Sequence, residues 1–161
     1  MKLLPRFGRF HPLLLLAVAG LLCAALPGCG RHSRAASSLS EKDRTTLSKY
    51  EAIRVALVED DLRAAKRAAK DLGTYLKPTP ESAGTPLDAP LQEIADASVL
   101  DKARSGFKTL STSMVALAGG VEGYYIMESP APAGAEWVQT IKQVDNPYMG
   151  KPMRDLGKLR E

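Results

Sequence analysis

Three methionines in the C-terminal third of the sequence could bind a soft metal ion: Met127, Met149 and Met153. Thioethers select Cu(I) when thiolates are missing. Met149 and Met153 have the spacing of one helical face, but Pro152 lies between them and is not compatible with a helix interior. Packing against aromatic side chains is the commoner role of methionine. We therefore predict no bound metal, and keep Cu(I) at these three residues as the alternative.

Signatures of common enzyme classes do not occur in this sequence. It has no Gly-rich phosphate loop, no Gly-x-Ser-x-Gly and no His-Glu-x-x-His, and no histidine follows His32. The two cysteines, Cys23 and Cys29, precede the region expected to fold, so disulfides and thiolate sites are excluded there. Asp60 and Asp61 lie where helix capping explains them. The sequence therefore predicts a protein that is not an enzyme and binds no cofactor, with a carboxylate-based hydrolase as a weaker alternative.

The first 28 residues have the pattern of a lipoprotein signal peptide. Three basic residues precede an apolar run, 13–26, which is too short for a permanent transmembrane helix. The run ends in Leu26-Pro27-Gly28-Cys29, which resembles a bacterial lipoprotein box, although Pro27 stands where Ala or Ser is usual. We expect Cys29 to be lipidated and to become the mature N-terminus. An ordinary signal peptide and an uncleaved anchor are the alternatives.

A lipidated Cys29 would fix the protein to a membrane of the cell envelope, because several acyl chains make attachment effectively permanent. Gly30, rather than Asp, after the cysteine indicates the outer membrane, with the folded part facing the periplasm. Three of the 22 basic residues and none of the 18 acidic residues precede Cys29, so the mature chain has 19 basic residues and is nearly neutral. We therefore expect no nucleic-acid partner. An envelope protein is expected as a partner, but the sequence does not identify it.

The mature chain is predicted to contain a short tether and one folded domain. Residues 30–39 are small and polar and lack apolar periodicity, so we expect a flexible tether over 29–43 and a helical-bundle domain over 44–161. Ser40, followed three residues later by Asp43, is typical of a helix start.

Apolar residues at helical spacing predict about four antiparallel helices. One stripe runs from Leu47 to Leu57 and another from Leu62 to Leu76, and their offset across Asp60-Asp61 favours two helices over one continuous helix. The Pro-rich residues 77–90 predict a loop. A short helix through Leu91, Ile94, Ala95 and Val99 should follow, and then a longer one from about Asp101 to Gly119-Gly120.

The second helix carries a basic face opposite its apolar stripe, formed by Arg63, Lys66, Arg67 and Lys70. A solvated surface is the usual fate of such a face. Contact with anionic lipid headgroups is the alternative.

Helical periodicity ends after Gly120. Residues 124–127 are strand-like, Trp137-Val138 begins another apolar segment, and Asn146-Pro147 is typical of a turn. We therefore predict a mainly α fold, an antiparallel bundle of about four helices closed by an irregular C-terminal segment in which short strands are possible.

Over residues 46–158 the chain resembles a bacterial family catalogued as a domain of unknown function, number 3347. Members occur as secreted or lipid-anchored proteins and fused to periplasmic adaptor subunits of heavy-metal efflux systems. The resemblance rests on Tyr50, Ala56-Leu57 with Asp60-Asp61, Ala103-Arg104 with Phe107 and Leu110-Ser111, Trp137-Val138-Gln139, and Asn146-Pro147-Tyr148-Met149-Gly150 with Met153.

Two segments depart from the pattern of that family. Its Cys-Pro-Met is Ser129-Pro130-Ala131 here, and its Met-x-x-Cys-Gly is Met153-Arg154-Asp155-Leu156-Gly157. Thiolates supply most of the affinity of a soft-metal site, so the resemblance implies the fold and transfers metal binding only weakly. We predict that a C-terminal motif is structural or contacts a partner. This motif consists of Trp137, Asn146, Pro147, Tyr148, Gly150 and Met153.

The leading hypothesis is therefore a non-enzymatic, lipid-anchored envelope protein that acts as an interaction or accessory module. The alternative hypothesis is a periplasmic accessory of heavy-metal efflux that binds a copper- or silver-type ion.

Overall fold

The structure is a computed structural model that describes residues 39–76 and 85–161. Its fold is mainly α, as predicted, and the described residues belong to one compact unit. The predicted signal peptide and Cys29 lie outside these ranges. Within them, no helix is long and apolar enough to cross a membrane. The elements are α1 (Glu41–Val58), α2 (Leu62–Leu76), α3 (Asp88–Asp96), α4 (Leu100–Ala118), β1 (Tyr125–Glu128), β2 (Glu136–Gln139), a 3₁₀ turn (Lys151–Met153) and β3 (Lys158–Leu159).

The start of α1 is fixed by a reciprocal cap. Ser40 Oγ accepts a hydrogen bond from the Asp43 backbone N–H at 3.1 Å, and the Asp43 carboxylate accepts one from the Ser40 N–H at 3.3 Å. This confirms the helix start predicted from these two residues. Leu39 is already buried in the core. The predicted tether boundary at residue 43 is therefore too late, because the cap and the burial of Leu39 order the chain before it.

A tight reversal separates α1 from α2, which confirms two helices and rules out the continuous one. Asp60 has a positive φ of 55°, a left-handed conformation that Asp tolerates better than most residues. Asp61 caps α2, since its Oδ1 accepts a hydrogen bond from the Ala64 N–H at 2.8 Å. Asp60 makes no such cap, contrary to the sequence interpretation, and turns its carboxylate toward α4 and the C-terminal segment.

The helices α3 and α4 pack closely against each other. An added Cβ at Gly106 of α4 would lie 2.9 Å from the Ile94 side chain and 3.0 Å from the Pro90 carbonyl oxygen, so only glycine fits this crossing. The predicted loop over 77–90 ends too late, because α3 already begins at Asp88. The helix accommodates Pro90 in its first turn. Val99 lies outside α3 and immediately precedes α4, which ends before Gly119 as predicted.

The C-terminal segment forms a three-stranded antiparallel sheet in the order β2-β1-β3. Met127 of β1 stands opposite Trp137 of β2 on one side and Leu159 of β3 on the other. The first two strands agree with the sequence patterns, whereas the two-residue β3 was not predicted. Since β2 packs against α4, helices and sheet share one apolar core. Its largest fully buried apolar side chains are Trp137, Tyr50, Phe107, Ile53, Leu57, Leu72, Ile94, Leu110, Met114 and Met127.

Candidate functional site

Most of the C-terminal motif lies inside the molecule. Trp137 and Asn146 are fully buried, and Pro147 and Gly150 are also buried. Tyr148 is half-buried. Only Met153, with 42% of its surface exposed, faces solvent. The motif therefore divides into an internal part and one exposed residue.

Asn146 is the centre of the internal part. Its Nδ2 donates to Ser129 Oγ at 3.0 Å and to the Leu156 carbonyl at 2.6 Å, and its Oδ1 accepts from the Tyr148 N–H at 2.8 Å. Its backbone N–H donates to the Arg154 carbonyl at 2.6 Å. One buried side-chain amide thus joins the end of β1, the turn at residues 147–149 and the last residues before β3. Most of the hydrogen-bonding capacity of this side chain is used.

The same amide brings together the two positions at which the resembled family pattern has cysteine. Ser129 and Leu156 are distant in sequence, yet both bond to Asn146 Nδ2. Here they carry a hydroxyl and an aliphatic side chain, which are not soft ligands. Ser129 Oγ and the Leu156 backbone oxygen therefore lie close together, whereas neither residue has a sulfur donor in this sequence.

The three methionines occupy three different environments. Met127 is fully buried between β2 and β3, Met149 is half-buried, and Met153 is exposed. A Cu(I) site needs sulfurs that an entering ion can reach, and Met127 offers none. The described residues also contain no group of three His, Cys, Asp or Glu side chains that could hold a metal ion. The burial of Met127 and the exposure of Met153 give no support to a site formed by all three methionines, and the Cu(I) alternative stays a prediction.

Four aromatic rings connect the motif to the helices, and we call them the aromatic column. Tyr50 stacks on Phe107 with ring centroids 4.9 Å apart, Phe107 meets Tyr148 at 5.8 Å, and Tyr148 meets the edge of Trp137 at 6.0 Å. Offset and edge contacts of this kind stabilise a core beyond simple area burial. The column passes from α1 through α4 to the turn and β2.

The polar atoms of the column have partners within the chain. The hydroxyl of Tyr50 lies 2.8 Å from Ser111 Oγ, and the Tyr148 hydroxyl donates to the Glu136 carbonyl at 3.1 Å. Trp137 Nε1 donates to Gln139 Oε1 at 2.8 Å. Burial raises the pKa of both tyrosines, well above its usual range for Tyr50. Both phenols stay neutral near pH 7 and serve as structural hydrogen-bonding groups.

Four charged residues, which we call the charged clamp, hold the turn against α1: Arg54, Asp145, Arg154 and Glu59. Arg54 is 2% exposed, and its Nη1 donates to Asp145 Oδ2 at 2.9 Å and to the Asp145 carbonyl at 2.7 Å. Arg154 binds the other oxygen of Asp145 at 2.7 Å and reaches Glu59 at 2.9 Å. Asp145 is thus shared by two guanidinium groups.

The clamp residues are held in their charged forms. Burial opposes ionisation of Asp145, but hydrogen bonds from Arg154 and Arg54 outweigh it and lower the pKa of the carboxyl. Burial likewise opposes the charge on Arg54, yet Glu51 and Asp145 raise its pKa. Groups this firmly charged are poorly suited to proton transfer near neutral pH.

A second ionic contact joins α4, the α1–α2 reversal and the turn. Arg104 bonds to Asp60 Oδ1, and its Nε donates to the Pro147 carbonyl at 2.9 Å. Asp60 Oδ2 accepts a hydrogen bond from the Lys151 N–H at 3.1 Å. Burial opposes the charge of Asp60, but these hydrogen bonds outweigh it and lower its pKa. Asp60 therefore fastens the turn.

Gly150 lies against this contact and has a positive φ of 73°. A Cβ there would lie 2.8 Å from Asp60 Oδ1, so the position needs glycine both for its backbone conformation and for space.

Sequence reasoning missed most residues of these contacts. Arg54 interrupts an apolar stripe, which is the one local signal that an internal partner was needed. Nothing local marks Asp145 or Arg154, and Asp60 was interpreted as a cap. Within the described residues, every fully buried side-chain nitrogen or oxygen has a hydrogen-bond partner. As arranged, these groups hold the C-terminal segment on the helices.

The family comparison covers the helical part of this structure. The model of the family described as protein of unknown function (DUF3347) matches residues 46–123. No curated protein and no solved structure matches the chain. The family match ends before β1, so the resemblance of the C-terminal motif to the family pattern stays a prediction. The match over residues 46–123 supports the resemblance of this chain to the DUF3347 family of proteins of unknown function.

Proposed function

We propose that this protein is a non-enzymatic, lipid-anchored cell-envelope protein that acts as an interaction or accessory module. Cys29 carries the lipid, and Gly30 directs the protein to the outer membrane, facing the periplasm. The sequence before Cys29 supports the anchor, and the closed arrangement around Asn146 supports the structural role of the C-terminal motif. The side-chain bonds of Asn146 are made within the chain, as expected of a structural joint that supports a surface.

Exposed apolar residues of the C-terminal segment are the candidates for a partner contact. Among the described residues, seven large apolar side chains are exposed, and four of them follow residue 140: Ile141, Met153, Leu156 and Leu159. Apolar side chains of this kind mark a protein contact when they form one continuous patch. We assign the envelope-partner contact to these four residues.

Metabolic labelling with radioactive palmitate tests the anchor. The wild-type protein should be labelled and recovered with membranes, and Cys29→Ala should be unlabelled and released. Labelling that survives in Cys29→Ala, or an unlabelled wild type, would overturn the anchor.

Photo-crosslinking in the anchored full-length protein tests the partner surface. A photoreactive residue at Leu159 should give one defined crosslinked product, and Leu156→Asp should reduce its yield. Val99→Asp is the matched control, because Val99 is 54% exposed but lies between α3 and α4. Equal losses from the two variants, or no product, would contradict the assignment.

A further inference from the structure

The basic face of α2 forms a shallow cleft without an acidic residue. Arg63, Lys66, Arg67 and Lys70 line it together with Leu62. Their spacing of three and four residues places all four cations on one side of the helix. The opposite side of α2 is buried through Ala65, Ala69, Leu72 and Leu76. The cleft therefore combines a packed helix with four positive charges.

These four charges are not compensated by the part of the chain that the structure describes. Ten ion pairs occur there, and none includes a cation of this face. By contrast, Arg54, Arg104 and Arg154 all bind carboxylates. Lys66 donates to the Ala97 carbonyl at 2.7 Å, which holds its ammonium at the edge of the cleft. Four neighbouring cations repel one another and attract a surface of negative charge.

We propose that the basic face of α2 lies on the phosphate groups of the anionic membrane to which Cys29 attaches the protein. This inference rests on the proposed lipid anchor, which supplies the membrane. Lys and Arg both bind phosphate oxygens through charge-assisted hydrogen bonds. The contact would orient the anchored domain, with α2 toward the lipid.

The length of the tether permits this orientation. The ten residues 30–39 can span at most about 33–36 Å. Because α1 and α2 run antiparallel, the entry of the tether at Ser40 lies at the same end of the hairpin as Leu76. At 1.5 Å per residue, Lys70 is about 9 Å and Arg63 about 20 Å along α2 from that end. The whole basic face is within reach of the anchor.

The contact should be weak but measurable without the anchor, and stronger when Cys29 holds the protein at the membrane. Each Lys or Arg near an anionic surface changes partitioning by roughly fivefold, and salt screens this attraction. Tethering through Cys29 places the face at a high effective concentration of headgroups. The contact through α2 sets the orientation of the folded domain, and the lipid on Cys29 attaches the protein to the membrane.

Vesicle sedimentation with unlipidated residues 30–161 tests the face separately from the anchor. This part contains the complete core of the described residues, and circular dichroism should confirm its helices in every variant. It should bind vesicles with about 30% phosphatidylglycerol more than pure phosphatidylcholine vesicles, less so at high salt. The variant R63Q/R67Q/K70Q should lower partitioning at least about tenfold, because three exposed cations are removed.

The matched control is K102Q/K108Q/K142Q, which removes three exposed lysines of α4 and the segment after β2. It should keep partitioning within about twofold of wild type. An equal loss in the control, equal binding to both vesicle types, or tighter binding to a single-stranded oligonucleotide than to anionic vesicles would overturn the inference. Palmitate labelling with no vesicle binding would refute this inference and leave the proposed anchor standing. Vesicle binding without labelling would refute the anchor.

Discussion

The helices and the C-terminal segment are attached to the common core by different interactions. The helices α1 to α4 bury apolar residues at regular spacing, so the buried face of each helix follows from its own sequence. The segment after Gly120 buries fewer apolar residues and depends on polar contacts made by Asn146, Arg54 and Arg104. Apolar packing tolerates many substitutions of similar volume, whereas a hydrogen-bonding centre tolerates very few. The two regions should therefore respond differently to mutation.

The largest effect is expected where the two regions meet. Phe107→Ala removes the ring that contacts both Tyr50 and Tyr148, and should lower the free energy of unfolding by about 3–5 kcal/mol. Urea unfolding followed by Trp137 fluorescence and by far-ultraviolet circular dichroism should shift together. The exposed Thr109→Ala on the same helix should change stability by less than about 0.5 kcal/mol. Separate transitions in Phe107→Ala would show that the regions do not share a core.

Asn146→Ala should loosen the C-terminal segment selectively. It leaves the Tyr148 N–H and the Leu156 carbonyl without their buried partner, at a cost of about 3 kcal/mol. Amide hydrogen exchange should speed up in β1 to β3 more than in α1 and α2. The exposed Gln143→Ala is the control. Uniform acceleration across the helices would place Asn146 within one cooperative unit with them.

Gly150→Ala should destabilise by about 2 kcal/mol through a combination of backbone strain and contact with Asp60. Gly134→Ala separates the two causes, because Gly134 also has a positive φ, 48°, but its Cβ would meet nothing within 4 Å. We expect about 1 kcal/mol for Gly134→Ala from strain alone. Chemical denaturation of both variants gives the difference. Equal losses would mean that the Asp60 contact adjusts without cost.

Acid should weaken the charged clamp before it affects the helices. Because the pKa of Asp145 is lower in the folded protein than its unfolded value of about 3.9, its stabilisation is present above that pH and is lost as the pH falls through the folded pKa. Denaturation at pH 7, 5 and 3 should show a shallower acid loss for Asp145→Asn than for wild type. The exposed Asp155→Asn should retain the wild-type profile. An unchanged profile in Asp145→Asn would assign acid sensitivity to other carboxylates.

The smallest effect is expected from Cu(I). The soluble domain should show no submicromolar binding, because Met127 is buried and positions 129 and 156 carry no sulfur. A Ser129→Cys/Leu156→Cys variant tests whether thiolates at these two positions create binding, since Ser129 Oγ and the Leu156 backbone oxygen both lie at Asn146 Nδ2. Competition with a colorimetric Cu(I) chelator measures both proteins. Tight wild-type binding that is lost in a Met149/Met153 double variant would restore the efflux-accessory hypothesis.

Local patterns were sufficient to predict most of the helical part. The α1 cap at Ser40, the break before α2 and the end of α4 at Gly119 depend on residues within four positions of each other. The predicted start of α3 is too late because Pro90 favours a loop in the sequence pattern. In the structure, hydrogen bonds between Thr85 and the Asp88 carboxylate form at the start of the helix, before Pro90. The motif residues were identified, but their burial was not.

The sequence by itself determined the helical stripes, the turn at Asn146-Pro147 and the lipoprotein-like start, because each depends on neighbouring residues. Only the tertiary structure decided that Asp60 fastens the turn instead of capping α2, that Arg54 binds Asp145 in addition to Glu51, and that Ser129 and Leu156 meet at Asn146. The partners in these contacts lie on different elements, and their identity depends on how the helices and the sheet approach each other. Apolar periodicity indicates which face of a helix or strand is buried, but it does not indicate which polar atom of another element will contact that face.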